Sequence, residues 1–221
     1  MRLAILGKGK MGQILSEVAE RQGHEVVAHV GRPNPSFWDD LRAEVVMDFS
    51  HWSQTETVVR RCLERDIPLV TGTTGWHVLR ESLQAYAESL PKPRWLWASN
   101  FSSGILFLKL ILRKLAQAWT DFSAWDALLI ETHHRHKKDA PSGTALDLAQ
   151  HFPFLKNIES LRVGEIVGEH RLLLSKRGEE IEIVHRAQDR KVYAEGALQA
   201  AEWLLKQERF VGPWEAGWER E

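Results

Sequence analysis

Over residues 1 to about 100, short apolar runs alternate with stretches of helical periodicity. The first run, Arg2-Leu3-Ala4-Ile5-Leu6, has strand length and leads into three closely spaced glycines. An amphipathic helix is predicted from about residue 13 to 21, and a second strand over residues 25–30. Further strands are predicted at 45–50, 69–71 and 95–98, with a helix over 55–65. Each of these later strands ends in small or polar residues: Phe49-Ser50, Gly72-Thr73-Thr74-Gly75 and Ser99-Asn100-Phe101-Ser102. Strand and helix in alternation predict a doubly wound parallel sheet whose carboxyl-end loops line a ligand crevice. The short segment 32–44 is expected to lack a helix.

The rhythm then changes. Ile105, Leu108, Ile111, Leu112 and Leu115 mark one stripe of a helix over about 103–119. An apolar strand over 127–130 ends near Glu131, and a helix is expected from Pro141 to about residue 151. A strand near 161–167 follows. A hairpin with arms 170–175 and 180–185 then turns at Lys176-Arg177-Gly178-Glu179. Ile181, Ile183 and His185 alternate with Glu180, Glu182 and Val184, the mark of a half-buried strand. A helix over 194–206 closes the pattern. The expected architecture is α/β, a Rossmann-like doubly wound parallel sheet plus a second α+β domain with a mixed sheet. The boundaries are 1–102, completed by the C-terminal helix 194–221, and 103–193.

Composition narrows the class. The chain has 221 residues, a formal net charge of -1 and 43% hydrophobic residues, which suits a soluble core. No apolar stretch is long enough to span a bilayer, since the most apolar helix is interrupted by Lys109 and Arg113. The first strand begins at residue 2, so no signal peptide is read, and a cytoplasmic location is expected. The single cysteine, Cys62, is expected to be a small buried apolar group. Ten tryptophans, among them Trp38, Trp52, Trp76, Trp214 and Trp218, are assigned to packing or subunit contact.

The densest chemistry lies in Glu131-Thr132-His133-His134-Arg135-His136-Lys137-Lys138-Asp139-Ala140-Pro141-Ser142-Gly143-Thr144-Ala145. His133 and His134 are expected just past a strand end, where a neutral imidazole beside a cation can relay a proton. Asp139 is read as a cap and Pro141 as the first helical residue. Ser142, Gly143 and Thr144 would then present free N–H groups at the positive end of the helix dipole. With Lys137 at one end and the helix N-terminus at the other, the ligand implied is a small dianion. A solvated basic turn and a nucleic-acid patch are the rival readings. The near-neutral charge and the lack of interleaved aromatics weigh against nucleic acid. No metal is read from the spacing.

Gly7-Lys8-Gly9-Lys10-Met11-Gly12 between strand and helix reads as a dinucleotide loop, with a plain Gly-rich turn as the rival. Val30-Gly31-Arg32 ends the second strand without the acid that binds the ribose hydroxyls of NAD. Arg32, with Lys8 and Lys10 nearby, suits a 2′-phosphate. NADPH is the expected cofactor, with NADH accepted as well. Together the two segments suggest reduction of a small, acidic, unsaturated molecule.

The segment Glu131–Ala145 resembles the signature of the dihydrodipicolinate reductase family. The resemblance implies a general-acid role for His133 and assistance to protonation by Lys137. It also implies substrate contacts from His134 and carboxylate binding by Gly143 and Thr144. Gly72, Thr73 and Thr74 match a loop beside the nicotinamide ribose. Ala98, Ser99, Asn100 and Phe101 match a segment contacting the nicotinamide. The second domain is then substrate-binding and oligomerising, in a homotetramer, with a cyclic imine dicarboxylate bound between the domains. Leu128, where many members carry Glu, and Gly31, where many carry an acid before Arg, depart from the pattern. The glycine loop is also one residue tighter than the usual GxxGxxG. His185 and Arg190 match a His-x-Ala-x-x-Arg stretch and are read as structural. The resemblance runs from residue 2 to about 206 and leaves the tail unmatched. A nucleotide sensor of the same fold and a dehydrogenase of acyclic acids are the rival functions.

Overall fold

The computed structural model describes residues 1–118 and 124–218. The expected helix end at residue 119 and the last three residues of the expected 194–221 segment lie outside the described residues. The chain divides into two compact units, Met1–Ser102 with Lys191–Glu221, and Ser103–Arg190.

The first unit begins with β1 (Arg2–Leu6), α1 (Lys10–Arg21), β2 (Glu25–Val30) and α2 (Pro35–Asp40). It continues with β3 (Val45–Asp48), α3 (Trp52–Leu63), β4 (Leu69–Thr71), α4 (Arg80–Glu88) and β5 (Arg94–Trp97). The second unit holds α5 (Ser103–Ala118), β6 (Asp126–His133), α6 (Gly143–Gln150), β7 (Asn157–Arg162), β8 (Gly168–Lys176) and β9 (Glu179–Ala187). The chain then returns to the first unit with α7 (Lys191–Leu205), β10 (Phe210–Pro213) and α8 (Trp214–Trp218).

In the first unit six parallel strands run in the order β10-β5-β4-β3-β1-β2. The order reverses between β1 and β3, and ligands of open α/β sheets bind at that switch point. Leu3 to Leu6 are wholly buried, as expected of a parallel strand covered on both faces. Leu15, Val18 and Ala19 form the buried stripe of α1.

Two elements correct the sequence expectation. Segment 32–44 contains α2, capped by Asn34, whose side chain accepts from Phe37 N at 2.9 Å, with Pro35 opening the helix and Trp38 buried. The tail supplies β10, which pairs in parallel with β5. Trp76, Trp95 and Trp97 pack together, with ring centroids 4.6–5.8 Å apart. Trp203 packs on Phe210 and Trp214. Among the described tryptophans Trp52 is the most open, at 48% exposed.

The second unit is a mixed sheet in the order β7-β6-β8-β9, parallel between β6 and β7 and antiparallel elsewhere. Ile105, Leu108 and Leu112 of α5 and Ala145 and Leu148 of α6 bury one face with Ala127, Leu129, Leu172 and Leu174. The strand expected at 161–167 lies earlier, at β7. The strand expected to end near Glu131 runs on to His133. Register organises the buried face in rows. Ile158, Leu129, Leu172 and Ile183 form one row, and Ser160, Glu131, His170 and His185 form the next. Arg162 lies opposite His133 beyond that. The same face is therefore apolar at one end of β6 and ionisable at the other.

Helix α7 passes so close to the loop after β5 that a Cβ on Gly196 would overlap the Phe101 carbonyl. We expect Gly196→Ala to cost about 1–3 kcal/mol by overpacking, read as a lower urea midpoint at unchanged slope. An unshifted midpoint would show that α7 and this loop separate easily.

Candidate active site

The carboxyl-end loops of the first sheet start at one level because the strand ladder continues past the strands. Gly7 N donates to Val30 O at 2.7 Å, Phe49 N to Leu6 O at 2.8 Å, Gly72 N to Asp48 O at 2.8 Å and Ala98 N to Thr71 O at 3.1 Å. Gly7 has a φ of +114°, and a Cβ there would overlap the Phe49 carbonyl. A Cβ on Gly12 would overlap the Gly7 carbonyl, whereas one on Gly9 would meet nothing. Gly7 and Gly12 thus allow close packing and Gly9 leaves open space, the division a pyrophosphate loop requires. Helix α1 starts at Lys10 behind an extended Gly9 that offers no side-chain cap, so Lys10, Met11 and Gly12 form its first turn.

Gly72 packs against the Phe49 ring, and Phe49 lies 6.0 Å from Phe101. Trp76 Nε1 donates to Thr73 O at 2.7 Å, and Trp95 Nε1 to Thr71 Oγ1 at 3.0 Å, which pins the Gly72–Thr74 loop. Asp48 is wholly buried; burial pushes its carboxyl up, and bonds from Ser50 and Thr73 oppose that. Lys8 Cγ lies 3.9 Å from a Cβ built on Gly31, so lysine covers the place of an acid. An open cavity of about 530 Å³ adjoins β2 and α2 and takes in Arg32 and Arg42, but the glycine loop does not line it.

In the second unit, Glu131 is 0% exposed. One of its oxygens bonds His133 Nδ1, and the other accepts from Arg162 Nη2 at 2.7 Å. Arg162 Nη2 also donates to the Asp139 carbonyl at 2.5 Å. Burial pushes the Glu131 carboxyl up, but Arg162 and His133 outweigh it and hold the group below its usual range. His133 is buried, and its pKa lies below the ordinary value; burial and the Lys137 charge outweigh Glu131. His170 stands edge-on to His133 at 5.4 Å, and its Nε2 lies 3.5 Å from Ser142 Oγ. Glu131, His133 and His170 offer three ligand atoms within 4.8 Å of one another, a spacing a cation can use. Arg162 already supplies the positive charge there.

The loop after β6 corrects the expected cap. Ser142, not Asp139, is the N-cap of α6, its Oγ accepting from Ala145 N at 3.2 Å, and Pro141 precedes the helix. Both Asp139 oxygens lie 2.9 Å from Lys137 Nζ; burial pushes this carboxyl up, but Lys137 and the nearby Asp139 and Gly143 amides outweigh it and hold the group below its usual range. His134 is half-buried outside the strand, 6.3 Å from the His136 ring. His133, Lys137, Ser142, Gly143 and Thr144 gather around the end of β6. Sequence reasoning passed over Arg162 and His170, which only the strand register brings to this face. Glu131 stood in the motif without a function.

Residues 1–101 match the family model "Dihydrodipicolinate reductase, N-terminus" and residues 104–212 match "Dihydrodipicolinate reductase, C-terminus". The match therefore extends past residue 206 into β10. A 4-hydroxy-tetrahydrodipicolinate reductase of Stenotrophomonas maltophilia (strain R551-3) is 40% identical over 225 residues, covering 92% of each chain. One from Thermosipho africanus is 39% identical, covering 93% of this chain and 92% of its own. The fold matches a dipicolinate-bound dihydrodipicolinate reductase from Paenisporosarcina sp. TG-14, with TM-score 0.77, 20% identity and 98% of each chain covered. It also matches a myo-inositol dehydrogenase from Corynebacterium glutamicum, with TM-score 0.62, 14% identity, 95% of this chain and 90% of that one covered.

Burial pushes the His170 pKa down from 6.5 to about 3, so the unfolded chain binds the extra proton between those values. This contribution to stability is complete above 6.5 and is lost as pH falls towards 3, by up to ~1.4 kcal/mol per pH unit. Urea midpoints should therefore fall less steeply below pH 6.5 in His170→Gln than in the wild type. Equal slopes would show that His170 is not held neutral.

Proposed function

The chain belongs to the dihydrodipicolinate reductase family, and on that premise we infer that it is an oxidoreductase of the diaminopimelate route to lysine. Its reaction is the nicotinamide-dependent reduction of 4-hydroxy-tetrahydrodipicolinate to tetrahydrodipicolinate.

The residues present fit a dinucleotide, since Gly7, Gly9 and Gly12 leave the bare backbone that a pyrophosphate occupies. Lys8, Lys10 and Met11 complete that loop. Gly72, Thr73 and Thr74, with Ala98, Ser99, Asn100 and Phe101, face the nicotinamide end. When bound, the reduced nicotinamide supplies the hydride. Arg32, together with Lys8 lying over Gly31, supports NADPH as the preferred form, with NADH also accepted.

The observation that carries the substrate assignment is Asp139. A carboxylate of this chain already rests on Lys137, and the Gly143 amide helps to keep it ionised, so the lysine and this helix end have the charge to hold a substrate carboxylate. Ser142 caps this helix, the Ser142–Thr144 end receives the carboxylate, and His134 contacts the ring from the loop. His133 delivers the proton as negative charge develops on the conjugated nitrogen and carboxylate, and Lys137 stabilises that charge. The reading includes a homotetramer in the cytoplasm. Exposed Leu161, Val163 and Ile166 on the second unit support association, and among the described residues no helix is long and apolar enough to cross a membrane.

The test is a coupled assay in which dihydrodipicolinate synthase supplies the labile substrate, run with NADPH and NADH separately. Oxidation that requires the synthase is expected, faster with NADPH. Nucleotide binding without oxidation would point to a sensor instead. In the same assay His133→Ala should lose about two to four orders of magnitude in kcat with NADPH affinity unchanged. Near-full turnover would remove His133 from the mechanism.

Lys137→Ala should raise KM and lower kcat. Because Lys137 pushes the His133 pKa down, its loss should also move the alkaline limb of kcat/KM to higher pH. An unmoved limb with unchanged KM would place Lys137 outside the site.

A further inference from the structure

We propose that Glu131, held by Arg162, is a positioning residue that commits Nδ1 of His133 to an internal bond and leaves Nε2 to carry the proton given to the substrate.

Glu131 has no solvent contact, and both of its oxygens are engaged, one by His133 Nδ1 and the other by Arg162 Nη2 at 2.7 Å. A buried carboxylate that faces a guanidinium stays ionised, and an ionised carboxylate only accepts hydrogen bonds. His133 Nδ1 must therefore be the N–H donor. The tautomer follows from the partner, as it does for imidazoles oriented by a carboxylate. The neutral ring then has its lone pair at Nε2, which takes up the proton to be transferred.

The surrounding charges make Glu131 distinctive. From the following loop Lys137, and from β7 Arg162, present positive charge to His133. From β8 the neutral His170 stands edge-on to it, while His185 of β9 faces His170. Glu131 is the group that favours the imidazolium against these cations and against burial. Arg162 does more than neutralise. Through its contact with the Asp139 carbonyl at 2.5 Å, one guanidinium ties the carboxylate that orients His133 to the loop that carries Lys137. Orientation of the acid and placement of the cation thus share a strut.

The inference deepens the reductase reading and rests on it for the identity of the proton's recipient; the tautomer does not depend on it. The experiment is ¹⁵N–¹H NMR of the imidazoles in uniformly ¹⁵N-labelled full-length protein, with His133 assigned by its loss in His133→Gln. Wild-type His133 is expected as the Nδ1–H tautomer. An Nε2–H tautomer in the wild type would overturn the proposal whatever Glu131→Gln shows. In Glu131→Gln the tautomers should mix and the His133 titration should move to lower pH. In the coupled assay the same variant should lose roughly 10–100-fold in kcat, as for other lost orienting partners. NADPH affinity should be unchanged. The alkaline limb of kcat/KM should move down with the NMR titration. Unchanged tautomer, titration and kcat in Glu131→Gln would overturn the role. If the wild type shows the Nδ1–H tautomer but no reductase activity, the reductase reading fails and the internal geometry stands.

Discussion

A carboxylate sealed from water stays ionised only while donors and cations face both of its oxygens, and the second unit is arranged to meet that condition at Glu131. Arg162 lies opposite His133 across the parallel β6–β7 pair, two residues along from the partner of Glu131. A slip of one residue would turn Arg162 to the other face and leave Glu131 buried with an imidazole alone. What prevents the slip is the apolar row beneath, where Leu129, Ile158, Leu172 and Ile183 need the same register to stay dry. The core is therefore part of the chemistry, because it fixes which cation meets the buried acid.

The first unit works under a different constraint, the approach of backbone to backbone. Gly7 and Gly12 let strand, loop and helix come closer than any side chain allows, and Gly72 and Gly196 do the same beside Phe49 and Phe101. Successive strand-end carbonyls hold the first amides of the next loops, so four loops present their small residues at one height. The tryptophans under the Gly72–Thr74 loop give this rim its stiffness through two indole donors.

The alternation of strand and helix was legible because the runs of β1, β3, β4 and β5 are buried on both faces and bounded by glycine or polar residues. The glycine loop was legible for the same local reason. Segment 32–44 was misjudged because six residues carry too little period to read, although Asn34-Pro35 is a cap and a helix start in plain view. β10 escaped because Phe-Val-Gly-Pro alternates nothing, and its strand character comes from β5 alongside it. In the active segment the residue types were legible and their partners were not. Arg162 and His170 are separated from Glu131 by 31 and 39 residues, and nothing local marks them. The expected cap failed because Asp139 and Ser142 can both accept from a helix start, and only the path of the loop decides between them.

That choice of cap changes how the basic segment should be counted. By sequence it is a cluster of cations awaiting an anion. In the fold, His133 is neutralised by burial and Lys137 is already paired with Asp139. Arg162 is spent on Glu131. On the proposed reading, a ligand carboxylate arriving at Lys137 exchanges with one that is there, and such an exchange gains little from charge alone. Affinity must then come from what Asp139 lacks: a second carboxylate and a ring presented to His133. A monoanion gains only the exchange, whereas a dianionic ring gains the second contact. If Lys137 holds the substrate as proposed, its internal carboxylate converts general anion attraction into preference for a dicarboxylate.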